Sequence, residues 1–310
     1  MSLSITSRPA RAVRDLFATA RGRDRLTGLF MTAPAVALFL VMMVVPLVLS
    51  GYLSLTDWDG YTAHPATVGL DHYRALVDDP EVRQAAWITV LLAVIGTLAV
   101  NAVGLALALA VSTPSRTNTV LRTVFFYPYV ISALIIGFLW SALLSTNGAV
   151  NSVLRSAGHA GLPFLSQPGW ALASLIGVVV WSGFGFTLVL YIAGLHTVPA
   201  SLLEAARIDG AGRWRILRSV TLPMIAPVVT VNIVLTLVTL LRSYDLVLSL
   251  TGGGPAGSTQ TAAYLILAQS FQNNALGYGS AQSMVLTVVT GIAALAITFL
   301  RRRADERAGA

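Results

Sequence analysis

Residues 199–223 read PASLLEAARIDGAGRWRILRSVTLP, a charged segment set between two apolar runs. Upstream, 171–195 contains no Asp, Glu, Lys or Arg, and downstream 219–241 contains none either. The charged segment predicts a helix, a break and a second short helix. Ser201 and Glu204 have capping-box spacing, so Ser201 could satisfy free amides at the helix start while Glu204 reaches back. Gly210 suits the left-handed residue that ends a helix. Trp214, Ile216 and Leu217 then give an amphipathic turn, which Pro223 is expected to end. A helical hairpin whose Ala and Leu face has none of its own chain nearby needs another surface. That surface is either a partner protein or lipid headgroups, with four Arg facing anionic lipid.

Working outward, the same contrast recurs along the chain. Only 11% of its 310 residues are charged and 55% are hydrophobic, a membrane composition. Residues 27–56, 84–115, 123–154, 219–241 and 246–300 carry no charged side chain. Each stretch can hold the roughly 20 apolar residues needed to cross a bilayer. The expected fold is an all-α integral membrane protein with six transmembrane helices and a helical-hairpin loop. The expected spans are about 28–53, 86–111, 122–144, 171–195, 223–248 and 283–300, forming one domain over 27–300. A basic arm over 1–26 and a basic tail over 301–310 flank it. The hairpin occupies 199–223. Residues 249–282, rich in Gly, Ser, Thr, Asn and Gln, read as an outer loop with an interfacial helix near 259–272, or as a re-entrant piece.

Arginine sets the orientation, because basic residues accumulate in segments that stay cytoplasmic. Sixteen Arg fall on the side of the N-terminal arm, the hairpin and the tail, against Arg74, Arg83, Arg155 and Arg242 on the other side. The 54–84 loop is acidic instead, with Asp57, Asp59, Asp71, Asp78, Asp79 and Glu81. Both termini are therefore expected in the cytoplasm. The first apolar run exceeds the 7–15 residues of a signal peptide and contains Pro34 and Pro46, so an uncleaved first span is expected.

Other residue types exclude chemistry. With no cysteine there is no disulfide, Cys-ligated zinc, iron–sulfur cluster or thiol nucleophile. His64, His72, His159 and His196 are scattered without metal-ligand spacing, so no metal site is expected. All 20 basic residues are Arg, so the chain has no P-loop lysine to grip nucleotide phosphates. The net charge of +7 is accounted for by Arg flanking the spans, and nucleic acid is excluded as a partner. An ion-coupled secondary transporter would place acids or broken helices near the midplane; Asp245, at a rim, is the only acid in any expected span. Asn101 and Asn232 are expected to bridge helices, Gly96, Gly104, Ala106 and Ala110 to let helices approach closely, and Arg242 to pair with Asp245 three residues on.

The order Glu204-Ala205-Ala206, three residues, Gly210, nine residues, then Val220-Thr221-Leu222-Pro223 resembles the EAA motif of ABC importer permeases, with Val220 in a place usually taken by Ile. The resemblance implies a type I importer permease in the bacterial cytoplasmic membrane. The hairpin would then sit in a cleft of a separate ATPase, docked through Glu204, Ala205, Ala206, Asp209, Gly210, Leu222 and Pro223. Closure of the ATPases would move it as a rigid body and switch the spans between inward- and outward-facing states. Glu204 would pair with a basic residue of the ATPase. No cofactor would be bound by this chain, with ATP and magnesium held by two copies of the ATPase, and the chain would not itself be an enzyme.

The similarity extends to carbohydrate-importer permeases of the maltose and glycerol-phosphate type. It rests on Ala33-Pro34-Ala35 through Pro46, Ser54-Leu55-Thr56-Asp57-Trp58, Gly69-Leu70-Asp71-His72-Tyr73, Tyr127-Pro128-Tyr129, and Tyr244-Asp245 followed by Leu250-Thr251-Gly252-Gly253-Gly254-Pro255. It implies a first-type permease, paired with a second permease, that receives a sugar from an external solute-binding protein. A non-sugar solute such as glycerol-phosphate or a polyamine is the alternative cargo. The family's substrate contacts map onto Tyr129, Gly183, Phe186, Leu240 and Ser243. Arg242 and Tyr244 join them on chemical grounds, since sugars favour polar partners and aromatic faces. Trp181, Phe184 and Phe186 read either as packing aromatics or as sugar-stacking rings.

Overall fold

A computed structural model describes residues 30–308, with side chains described to residue 299; the basic arm over 1–26 lies outside the described residues. The chain divides into residues 1–53 and residues 54–310. In the first unit, α1 runs over Phe30–Leu53 with a π-turn at Leu40–Val44.

The second unit begins with α2 (Asp71–Asp78) and α3 (Pro80–Val111). The start of α3 is written in three residues. Asp79 accepts from the amides of Glu81 and Val82, Pro80 occupies the first turn where no donor is needed, and Glu81 complements the helix dipole. The helix therefore starts at Pro80, not near 86. Its 32 residues extend about 48 Å.

Next come α4 (Arg116–Val130) and α5 (Ala133–Leu144), so the apolar run expected to be one span over 122–144 is two helices. Pro128 lies in the last turn of α4, Ile131 is extended, and α5 restarts at Ser132. After α6 (Ala149–Ser156) comes α7 (Pro168–Leu195), then α8 (Ala200–Ile208) and α9 (Arg213–Met224). The next helix, α10 (Ala226–Leu241), is bent by 72° from α9. It ends at Leu241, short of the expected 248, and the short α11 (Asp245–Leu250) follows.

The segment expected as a loop over 249–282 is ordered. Residues 251–261 form tight turns with Gly252, Gly253 and Gly257 at positive φ. Then α12 (Ala262–Leu267) continues through a π-turn at Ala268–Gln272, close to the helix expected near 259–272. Thr261 caps α12 and also donates to the Ser243 carbonyl, while Thr89 of α3 accepts from the Ala262 amide. The last helix, α13 (Leu276–Ala308), starts seven residues earlier than expected.

Among the described residues five helices are long and apolar enough to cross a membrane, or six with the bent pair α9 and α10. The second unit is built around the close packing of α3 on α7 and α10. A β-carbon on Gly104 would collide with Thr187 Oγ1, so glycine sets the distance between α3 and α7. Gly96 and Gly104 are buried as expected. Ala106 and Ala110 are exposed, and Ala108 continues the packed face instead. The buried apolar residues form two clusters. One, around Leu92, Val100, Leu175, Val179 and Val247, lies toward the end where α10 stops. The other, around Ala108, Val111, Leu188, Tyr191, Val198 and Ile225, lies at the end that carries residues 199–223. Large apolar side chains such as Val94, Leu98 and Val288 stay exposed, as expected where hydrocarbon is the solvent.

Candidate functional site

Two features of the second unit are candidates for function: the hairpin over 199–223, and a cavity among α3, α4, α5, α7 and α10.

The hairpin is α8, a turn and α9. Pro199 caps α8 through its fixed φ, and no side-chain cap forms. Because α8 starts at Ala200, Ser201 already lies inside the first turn and the expected Ser201–Glu204 capping box is not made. At the other end Gly210 has φ +77, its amide donates to the Arg207 carbonyl, and the Ala211 amide donates to the Ala206 carbonyl. This is the left-handed break that the sequence predicts.

Pro223 does not end the second helix. A π-turn at Leu217–Thr221 moves the backbone bonding to five-residue spacing, with the Leu222 amide donating to the Leu217 carbonyl. Pro223 has no amide proton to donate in any register, and the helix runs only one residue past it, to Met224, before the bend at Ile225.

The hairpin's base is rooted while its tip is bare. Val198 and Ile225 are buried, and Leu203 and Leu222 pack against them. By contrast Ile208 is 86% exposed and Trp214 72%, and Leu202 also lies open. Glu204, Ala205, Asp209 and Gly210 share this exposed surface, and Ala206 is half-buried. Among the described residues Glu204 and Asp209 make no ion pair; the single pair is Arg74 with Asp71 at 2.9 Å.

The cavity has a volume of about 330 Å³. Tyr129, Gly183, Phe186, Leu240 and Ser243, five of the seven expected path residues, line it together. Tyr129 and Phe186 stack with ring centroids 4.9 Å apart and planes at 21°. Arg242 and Tyr244 do not line it, because α10 stops at Leu241 and both leave its face. Arg242 is exposed and forms no ion pair with Asp245 among the described residues. The aromatic residues divide as well. Trp181 meets Trp140 edge-on at 5.4 Å and Phe184 meets Phe125 edge-on at 6.1 Å, so both serve packing.

Four lining hydroxyls escape the sequence reading: Ser182, Thr187, Thr236 and Thr239. Their signal is faint, since Ser and Thr in a membrane helix usually bond their own backbone. One helical turn from the cavity toward the hairpin, Asn101 accepts from Tyr191 Oη at 2.7 Å and donates to Thr236 Oγ1 at 3.4 Å, bridging α3, α7 and α10. Asn232 is fully buried, but its side chain makes no such bridge.

Arg122 is a further omission. Its guanidinium donates to the carbonyls of Val111, Ser112 and Thr113 at 2.6–3.3 Å, and His196 Nε2 also meets the Ser112 carbonyl at 3.3 Å. A cation at the last carbonyls of α3 is the usual partner for a helix C-terminus. It ties α3, α4 and the end of α7 together beside the hairpin. Among the described residues no group of three His, Cys, Asp or Glu could hold a metal.

Similar proteins share this architecture. The family model for the binding-protein-dependent transport system inner membrane component matches residues 100–307. The sulfoquinovosyl glycerol transport system permease protein SmoG of Agrobacterium fabrum is 33% identical over 267 residues, covering 85% of this chain and 86% of that one. The probable starch degradation products transport system permease protein AmyD of Thermoanaerobacterium thermosulfurigenes is 30% identical over 275 residues, covering 88% and 93%. One chain of a crystal structure of a bacterial ABC transporter involved in alginate import shares the fold, with a TM-score of 0.79 at 24% identity over 93% of this chain and 98% of that one. The matched range contains the whole hairpin and every residue that lines the cavity, and this multi-pass membrane chain belongs to the binding-protein-dependent transport system inner membrane component family.

Proposed function

We propose that this chain is the membrane-spanning subunit of an ATP-driven importer for a sugar, and that its hairpin docks a separate ATPase. The observation that carries this reading is the hairpin itself, whose base is fixed in the buried cluster while Ile208 and Trp214 stand uncovered at its tip and Leu202 lies open on the first turn of α8. Apolar side chains held that far from their own core call for a covering surface, and the EAA-like spacing from Glu204 to Pro223 favours a protein over lipid. Hydrolysis belongs to the partner, since a chain whose basic residues are all Arg has no P-loop lysine; ATP and magnesium are bound there and no cofactor here.

The remaining partners follow from the same reading: a second permease subunit, two ATPase copies and an external solute-binding protein. The arginine asymmetry supports a cytoplasmic position for both termini and the hairpin. The sugar assignment draws on the two relatives, named for starch degradation products and sulfoquinovosyl glycerol. The stacked Tyr129 and Phe186 and the ring of hydroxyls in the cavity suit such a cargo.

The docking test is Glu204→Ala combined with Gly210→Pro, assayed by co-purification with the ATPase and by uptake. Gly210→Pro cannot keep φ +77, so the hairpin should open and both readouts should fall at least about tenfold. Unchanged co-purification and uptake would remove the hairpin from the docking role.

A further inference from the structure

Resting on the reading of the cavity as the sugar site, we infer that the site selects an uncharged polyhydroxylated ligand and rejects the corresponding acid. The first observation is the absence of charge from its wall. No residue lining the cavity is Asp, Glu, Lys or Arg, and Arg242, the nearest cation in sequence, is exposed outside it.

The second observation is the direction of the lining hydrogen bonds. Ser182 Oγ donates to the Val179 carbonyl at 3.2 Å, Thr187 Oγ1 to the Phe184 carbonyl at 3.0 Å, Thr236 Oγ1 to the Asn232 carbonyl at 2.8 Å and Thr239 Oγ1 to the Leu235 carbonyl at 2.8 Å. A carbonyl only accepts, so each of these hydroxyls has committed its proton. Thr187 is buried with its Oγ1 against Gly104, so what Ser182, Thr236 and Thr239 turn toward a ligand is oxygen lone pairs, one of those on Thr236 being taken by Asn101. Among the described residues only Ser243 Oγ and Tyr129 Oη keep an uncommitted proton on the wall.

A wall rich in acceptors is complementary to a ligand rich in donors. A neutral sugar brings an O–H donor at almost every carbon, whereas a carboxylate or sulfonate brings only acceptors where it is charged. Backbone dipoles do not alter the balance. At the Ile131–Ser132 break the carbonyl end of α4 meets the amide end of α5, so opposite partial charges face each other there. An anion on this wall would lose its hydration with two side-chain donors and no cation to replace it, and burying an unpaired ion is strongly unfavourable. The volume of about 330 Å³ lies at the small end of the ~300–1,000 Å³ range of small-molecule sites. One end of an oligosaccharide is therefore held, not the whole chain.

The test is calorimetric titration of the solubilised full transporter complex with matched ligands. Each neutral disaccharide in a panel is compared with the derivative whose terminal CH₂OH is oxidised to carboxylate, and with the methyl ester of that acid. The ester keeps the shape and removes the charge. The expected result is binding of the neutral sugar and of the ester, with the carboxylate weaker by about 100-fold or more. Thr239→Val, which keeps shape and removes one acceptor, should weaken the neutral sugar by about 3- to 10-fold while leaving co-purification of the complex unchanged.

An acid that binds as well as its ester overturns the inference and leaves the sugar reading standing. If no member of the panel binds, the sugar reading falls and the inference with it. If Thr239→Val leaves affinity unchanged while the complex stays intact, the hydroxyl wall does not contact the ligand and the inference is likewise overturned.

Discussion

Asp59 shows how much a single side chain can organise. Its Oδ1 accepts from the amides of Tyr61 and Thr62 and from the Thr62 hydroxyl, at 2.8–2.9 Å, and Trp58 Nε1 donates to the Thr62 carbonyl across the same turn. The backbone bonds from Thr62 and Tyr61, with the Thr62 hydroxyl, favour the ionised carboxylate and hold its pKa at about 2, below the usual 3.8. A lowered folded pKa means that the contribution of this turn is complete above about pH 4 and is lost as pH falls through about 2. A carbon-13 titration of the Asp59 carboxyl group should show its midpoint near pH 2, and a midpoint near 3.8 would contradict the bonding described. The sequence shows Asp59 only as part of an acidic loop. Nothing in a count of charges marks an acceptor for three donors, and Arg122 escaped for the same reason, since its value as a topology signal hid its grip on the α3 carbonyls.

At the scale of helices, legibility followed the physics of each terminus. The hairpin break at Gly210 was legible because a left-handed turn calls for glycine. The π-turn at Leu217–Thr221 was not, because no residue type in it marks a change of backbone register. The start of α3 was written in Asp79-Pro80-Glu81 but was masked by reading those charges as loop. The split between α4 and α5 left only Pro128 as a trace.

Among the lining residues, Tyr129, Gly183, Phe186, Leu240 and Ser243 were reached by resemblance, and the structure gathers all five on one cavity. Arg242 and Tyr244 were chosen for their chemistry, and the end of α10 at Leu241 carries them away. The packing of α3 on α7 gives a direct prediction. Gly104→Val would force its side chain into Thr187 and the Leu188 backbone, so thermal unfolding should report a loss of about 1–3 kcal/mol. Ala110→Val, on the exposed face of the same helix, should cost less than about 0.5 kcal/mol.

Over the whole molecule, an inert scaffold joins two specialised ends. The hairpin is rooted in the cluster around Tyr191, Val198 and Ile225. Tyr191 donates directly to Asn101, and Thr236, at the other end of that bridge, lines the cavity. Each step is a direct contact or a single helical turn, so a displacement of the hairpin has a short packed route to the cavity, and Arg122 stiffens the corner where that route begins. In the proposed importer this is how ATP-driven motion would reach the sugar.

The central claim is that the bare tip of the hairpin is covered by an ATPase, and the absence of cysteine makes the test clean. With Ile208→Cys as the only thiol in this chain, a short thiol-directed photocross-linker in the assembled transporter should join it to the ATPase subunit. Tyr61→Cys, exposed on the acidic 54–84 loop, should give no such product. Cross-linking of Ile208→Cys to lipid alone, with the ATPase present and unlabelled, would contradict docking and make the hairpin a membrane-surface element.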